Sequence, residues 1–391
     1  MVSEARTLRV AMIGYAFMGA AHSQGWRNAH RFFDLPAAPE LTVLCGRNAD
    51  AAASAARKLG WTSSVTDWRE AVERDDVDVV DICTPGDSHK EIALAALAAG
   101  KHVLCEKPLA NTVAEAEEMA AAARSAADRG VLSMVGFNYR RTPALALARR
   151  LVAEGRLGRL HHVRAQYLQD WIVDPEFPLV WRLQKDKAGS GALGDIGAHV
   201  VDLAAFLTGA RLSGVSGTLE RFVEQRPLPD AATGLSASGG SGVGEVTVDD
   251  AAAFFGRTED GALATFEATR FATGRKNAMR IELNGSAGSL AFDFERLNEL
   301  HVYDGTVPAA DAGFRRILVT EPDHPYAGAW WPPGHGLGYE HTFVNEIADF
   351  VRALAEGERP TPSFDDGLYV QKVLDAVERS SDAGSAWTKI S

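Results

Sequence analysis

The side chains best suited to hold a developing alkoxide and to move a proton in this chain are a lysine at a strand end and an Asp–His pair four residues apart. Lys107 stands in Cys105-Glu106-Lys107-Pro108, which closes a short apolar run. Ligands of doubly wound sheets bind at that edge. The following proline restricts the lysine backbone, and an ammonium in a partly dry cleft can stabilise a developing alkoxide. A solvated surface lysine is the plainer alternative. Asp195 and His199 stand in Gly194-Asp195-Ile196-Gly197-Ala198-His199. On a helix this spacing puts both on one face. A carboxylate there can fix the imidazole tautomer and raise its basicity. Such a histidine can take a hydroxyl proton as hydride leaves the same carbon. The same spacing fits an N-capping Asp195 with a helix-buried His199 equally well.

A cofactor signal sits at the N-terminus, where Gly14-Tyr15-Ala16-Phe17-Met18-Gly19 follows the first apolar run. It matches the dinucleotide fingerprint G-x-G-x-x-G except that Ala16 replaces the middle glycine. Its place between a strand and a helix strengthens the match. The second strand ends in Cys45-Gly46-Arg47-Asn48. No carboxylate is there to hold a ribose 2′-hydroxyl, and Arg47 suits a 2′-phosphate, so the chemistry leans to NADP. Arg47 could equally stack on adenine.

These residues need a sheet to hold them. Residues 8–13, 41–45, 77–83, 102–105 and 131–136 read as strands, and 20–31, 49–59, 91–99 and 112–129 as helices, the last opening with the capping box Thr112-x-x-Glu115. That rhythm predicts an α/β Rossmann domain, a doubly wound parallel sheet, over residues 1–136. Residues 137–391 read as an α+β domain for substrate and oligomer contacts. Helix 143–153 is followed by strands at 161–168 and 215–223. Hairpins follow at 251–257/262–270 and 279–283/289–294, predicting an open, mainly antiparallel sheet with a face free for a partner subunit. Residues 227–244, rich in Gly, Ser, Ala and Pro, read as a surface loop, and 339–354 and 365–380 as helices, the latter packing back on the first domain.

The formal net charge of −12 argues against a nucleic-acid or anionic-membrane partner. No run of about 18 apolar residues is seen, so no membrane span is expected. Cys45, Cys83 and Cys105 lie in apolar runs and form no disulfide framework. They read as buried thiols of a protein kept in a reducing cytoplasm, and the N-terminus shows no targeting segment. His161-His162 and His335/His341 lack zinc spacing, so no metal is expected.

Together, Gly14–Gly19, Cys83-Thr84-Pro85 with His89, Glu106-Lys107-Pro108 and Asp195 through His199 resemble the Gfo/Idh/MocA family of oxidoreductases over nearly the whole chain. The resemblance implies that Lys107 and His199 are the catalytic pair, with Asp195 in the same site. It implies that Gly14, Ala16, Phe17, Met18, Gly19, Gly46, Arg47, Thr84, Pro85, His89, Glu106 and Lys107 line the cofactor, NAD or NADP. It also implies a cis peptide before Pro108 and subunit contacts through the second-domain sheet, giving a homodimer or homotetramer. The substrate is expected to be carbohydrate-like: a sugar, anhydrosugar or cyclitol. Asn138, Tyr139 and Arg140 follow the fifth strand, and Trp171, Trp181 and Arg182 precede the Asp195 helix. Aromatic faces beside fixed polar groups suit a sugar ring, so these residues join Asp195 and His199 as the expected substrate contacts. Core packing is an equal alternative for the tryptophans. Two other functions remain open at this point. One is a sugar–sugar oxidoreductase whose tightly bound cofactor cycles in place; the other is a non-catalytic nucleotide sensor.

Overall fold

Six short apolar segments build the first sheet. A computed structural model describes residues 6–233 and 236–391. Strands β1 (Arg6–Ile13), β2 (Ala37–Cys45), β3 (Ser63–Val65), β4 (Val79–Ile82), β5 (His102–Glu106) and β6 (Ser133–Gly136) lie in the order β3-β2-β1-β4-β5-β6, and every pair is parallel. This is the dinucleotide-binding order, with the reversal between β1 and β4. Val10–Met12 and Val103–Cys105 are wholly buried, as a parallel sheet covered on both faces requires. Helices α1 (Phe17–Phe32), α2 (Ala49–Leu59), α3 (Trp68–Glu73), α4 (His89–Ala98) and α5 (Val113–Ala127) make the crossovers. Thr112 and Glu115 form the expected capping box at α5. The sequence reading had no β3 or α3: a three-residue edge strand and a six-residue helix carry too little periodicity to be seen.

The second compact unit holds residues 139–232 and 236–338 and the C-terminal segment from Val370. It begins with α6 (Pro143–Ala153) and β7 (Leu160–Leu168), then the short α7 (Lys185–Ala188) and α8 (Ala198–Thr208). Nine further strands follow: β8 (Leu212–Glu220), β9 (Gln225–Thr233), β10 (Ser236–Glu245), β11 (Ala251–Thr258), β12 (Leu263–Thr269), β13 (Ala278–Gly285), β14 (Gly288–Asp293), β15 (Glu299–Asp304) and β16 (Arg315–Leu318). The main sheet runs β16-β15-β14-β13-β7-β12-β11-β8, with the terminal β17 (Thr388–Lys389) beside β8. Both expected hairpins form, as β11–β12 and β13–β14. The sheet is mixed, because β7 pairs parallel with β12 and antiparallel with β13. Strands β15 and β16 were not anticipated. Alternation leaves one face packed and one open: Phe254 is 5% exposed and Phe255 46%. The open face is largely polar, with Arg164 beside Glu282 and Asn284, and Gln166 beside Glu267.

The surface loop expected at 227–244 is corrected. Residues 225–233 and 236–245 pair as the two-stranded β9–β10 sheet; positions 234 and 235 lie outside the described residues. Small residues there pack closely: a Cβ on Gly244 would meet Leu179 at 2.5 Å. The helical run Lys185–Thr208 has the length and apolarity of a membrane span, but 78% of its apolar window is buried inside the protein, so it is a core helix.

The chain returns to the first unit at residues 339–369, which the continuous 137–391 boundary had placed in the second. Helix α9 (Tyr339–Glu356) packs on α1. Gly25 makes the approach possible, since a Cβ there would lie 3.1 Å from the Phe343 carbonyl. Trp26 meets Phe350 edge-on at 6.3 Å. The first unit ends at Tyr369, inside α10 (Phe364–Asp382).

Candidate functional site

The turn after β1 is shaped by two glycines. Gly14 has φ +99°, and a Cβ there would lie 2.7 Å from the Cys83 carbonyl oxygen. A Cβ on Gly19 would lie 2.1 Å from the Gly14 carbonyl oxygen. Neither position accepts a side chain without moving backbone. Ala16 differs: it sits before α1 with φ −71° and ψ −153°, a region open to any residue. Its methyl group is therefore tolerated where the fingerprint has glycine. No side chain caps α1 and no acid lies in its first turn. The amides of Phe17, Met18 and Gly19 thus head a 16-residue helix as a site for a pyrophosphate. The residues present fit a dinucleotide. Phe17 is exposed and stacks on Tyr339 at 6.1 Å.

The rim follows from the next strand ends. Gly46 donates its N–H to Val65, and the Tyr15 ring covers it so closely that a Cβ would meet Tyr15 at 1.9 Å. Arg47 is exposed, and Asn48 caps α2 through the Ala51 N–H. After β4, Thr84 accepts from the Ser88 hydroxyl, and Pro85 leads into a short turn. His89 is 1% exposed, with its ring nitrogens 2.9 Å from the Thr84 carbonyl and 3.0 Å from the Pro108 carbonyl. It ties the loop after β4 to the loop after β5. Glu106 is likewise buried and accepts the Lys107 N–H at 3.1 Å. Lys107 is half-buried at the end of β5, and the Lys107–Pro108 peptide is cis, as the resemblance implied.

In the second unit, Asp195 and His199 lie at the start of α8, but not on one regular α-helix. Leu193–Gly197 is a π turn, with hydrogen bonds one residue longer than in an α-helix. The simple i, i+4 reading is corrected here. The turn is held by a residue distant in sequence: the Asp249 carboxylate accepts the Gly191 and Leu193 N–H groups at 2.7 and 2.8 Å, and a Cβ on Gly191 would lie 1.8 Å from the Asp249 carbonyl. Asp195 is inside the turn and does not cap it. Its Oδ2 lies 3.5 Å from Nη1 of Arg270, whose side chain is fully buried. Arg270 also donates to the Asp249 carbonyl and lies over Trp171 at 5.8 Å. Burial lowers the Arg182 guanidinium below its ordinary range although Asp195 opposes this, and Arg182 lies over Trp181 at 4.3 Å. The His199 ring packs on Tyr139 at 4.5 Å and on Tyr167 at 5.9 Å. The two tyrosine hydroxyls are 2.6 Å apart, and Tyr167 donates to Asn277.

Two of the expected substrate residues are already engaged within the protein. Arg140 is buried and bonded to both oxygens of Asp202. Asn138, 2% exposed, donates to the Thr342 hydroxyl within the first unit. Both are framework residues. Tyr139 is buried against His199, while Trp171, Trp181 and Arg182 are half-exposed. Trp171 also packs on the apolar cluster of Ile172, Leu183 and Val246. Sequence reasoning missed Tyr15, Arg270 and Asp249. An arginine ending the apolar strand β12 and paired acids after a glycine-rich stretch were the available signals.

Comparison with known proteins agrees with these features. Residues 8–137 match the model of the oxidoreductase family with an NAD-binding Rossmann fold, and 145–291 match the GFO/IDH/MocA C-terminal domain. The chain is 44% identical, over 98% of each protein, to levoglucosan dehydrogenase of Pseudarthrobacter phenanthrenivorans. Among solved structures, an oxidoreductase domain protein from Kribbella flavida is 65% identical, with TM-score 0.94 over 99% of this chain and 100% of that one. A levoglucosan dehydrogenase in complex with NADH and levoglucosan is 43% identical, with TM-score 0.92 over 98% and 100% of the two chains. With the two-glycine turn, the uncapped α1 and the β3-β2-β1-β4-β5-β6 sheet already in place, these matches show that the chain belongs to the GFO/IDH/MocA family of NAD-binding oxidoreductases.

Proposed function

We propose that this oxidoreductase is a dehydrogenase of a levoglucosan-like anhydrosugar, with Lys107, Asp195 and His199 as its working side chains. The observation that carries the substrate class is the 44% identity to levoglucosan dehydrogenase along 98% of the chain. The nicotinamide supplies the hydride acceptor when bound. His199 takes the hydroxyl proton as the C–O bond becomes a carbonyl. The ammonium of Lys107 holds the substrate oxygen while charge develops on it. Asp195, held 3.5 Å from Arg270, orients the hydroxyl. The half-exposed Trp171 and Trp181 offer apolar faces to the C–H side of the ring.

The direct test is nicotinamide absorbance during a screen of levoglucosan, other sugars and cyclitols, run separately with NAD and NADP. We expect the largest rise with levoglucosan and NAD. Turnover of inositol or an open sugar, with none of levoglucosan, would overturn the substrate class. Nucleotide retained through purification with no net reduction would favour in-place cycling instead. The open face of the second-unit sheet supports assembly as a homodimer or homotetramer. Light scattering should then give two or four times the monomer mass, and a monomer would refute it.

A further inference from the structure

His22 joins two acidic residues beneath the cofactor turn, and the chemistry above does not use it. It sits on α1, three residues past Gly19, with its side chain wholly buried. Nδ1 lies 2.9 Å from Oδ2 of Asp81 on β4, and Nε2 lies 2.8 Å from Oε1 of Glu106 on β5. The Trp26 indole donates to Asp81 at 2.6 Å, and the Cys83 thiol contacts its other oxygen at 3.6 Å. Glu106 turns its second oxygen to the Lys107 N–H. The Phe343 ring of α9 covers the imidazole at 5.3 Å, and Cys105 is the other titratable group facing the cluster.

The protons in this cluster can be counted. Each ring nitrogen faces a carboxylate oxygen, and a neutral imidazole carries only one N–H. Hydrogen bonds at both ends therefore need a second proton, on the ring or on one of the two carboxyl groups. An imidazolium between two carboxylates provides it and separates two like charges on adjacent strands. Burial is the largest single influence and opposes that charge, but Asp81 and Cys83 together outweigh it and hold His22 well above its ordinary range. Burial pushes the Cys83 thiol up, so it stays neutral. Glu106 has little room to swing away: a Cβ on Gly136 of β6 would lie 2.9 Å from its Oε1.

We propose that His22 is a positioning residue for Lys107. It clamps Glu106 to Asp81, and Glu106 fixes the backbone of the lysine at the end of β5. One ring thereby couples the helix that receives the pyrophosphate to the strand that delivers the ammonium. The proposal rests on the role given to Lys107 above.

The test is a pair of substitutions that keep one end each. The amide of His22→Asn reaches the Nδ1 position, facing Asp81; that of His22→Gln reaches the Nε2 position, facing Glu106. Both lose the cation and should lower the melting temperature alike. Positioning through Glu106 predicts that His22→Gln keeps kcat within about threefold of wild type. His22→Asn should lose roughly tenfold or more, because small displacements of a reacting group are costly. KM for the nucleotide should stay unchanged in both. Equal kcat values, or losses that follow melting temperature, would overturn the proposal. Should either variant not fold, nitrogen NMR of the wild-type enzyme carrying isotope-labelled histidine serves instead. His22 should be protonated at both ring nitrogens at about pH 8, well above the ordinary histidine range; a single protonated nitrogen overturns the clamp. Lys107→Ala separates the two failures. An active Lys107→Ala enzyme overturns the role of Lys107 and this proposal with it. An inactive one, with equal His22 variants, overturns the positioning role alone.

Discussion

Lys107→Ala is expected to lower kcat by on the order of 10³-fold while leaving the nucleotide Kd within about twofold. The two effects separate because only the side chain is lost. The backbone N–H of residue 107 still reaches Glu106, and the cradle is built from Gly14, Gly19 and the α1 amides. The lysine is half-buried at a strand end and is not a member of the buried core, so its removal opens no large cavity. An ammonium aimed at an oxygen that gains charge only in the transition state acts on kcat more than on ground-state binding. Stopped-flow turnover with a fluorescence titration of the nucleotide checks both halves. Wild-type kcat in the variant would remove Lys107 from the mechanism. A matching loss of nucleotide affinity would make it a binding residue.

His199→Phe should cost roughly 10²- to 10⁴-fold in kcat/KM, the range of a lost general base. Phenylalanine keeps a flat ring against Tyr139 and Tyr167, so the packing at 4.5 and 5.9 Å survives and the fold should hold. The pH profile is the sharper readout. In the oxidative direction a base works only when unprotonated, so wild-type kcat/KM falls as pH drops through its titration. The phenylalanine variant has nothing to titrate there and should be flat on that limb. An unchanged acid limb at residual activity would assign the base to another group.

Much of this was legible in residue types and spacing. Strong runs such as residues 102–105 and the glycine-punctuated turn gave the parallel sheet, because fully buried strands read as continuous apolar stretches. The hairpins at 258–261 and 284–288 were marked by their turn residues. What escaped was of three kinds. The edge strand β3 and helix α3 are too short to show a period. The β9–β10 pair is built from Gly, Ser and Pro, which signal loops more often than strands. The π turn at Leu193–Gly197 depends on Asp249, more than fifty residues away, and no local pattern reports that contact. In the site, residue type alone misled at two positions. Arg140 and Asn138 have the chemistry to hold a hydroxyl, but Asp202 and Thr342 already engage them. The acid in the middle of β4, Asp81, marked a buried pair that only its distant partner His22 explains.

The pairing of β7 sets the order in which the second unit can be assembled. This strand ends at Leu168, but its two neighbours, β12 and β13, come roughly a hundred residues later. On a ribosome that interval lasts about 5–20 s. During it, both edges of the central strand stand open to other chains. His161, His162 and Arg164 lie along that strand, and such charged or polar residues discourage a foreign strand from pairing with it. The first unit waits longer still. Its six strands are complete by residue 136, but the α1 surface of Gly25 and Trp26 is covered only when residues 339–356 emerge. The nucleotide-binding half is therefore among the first parts of the chain to be synthesised and among the last to be closed.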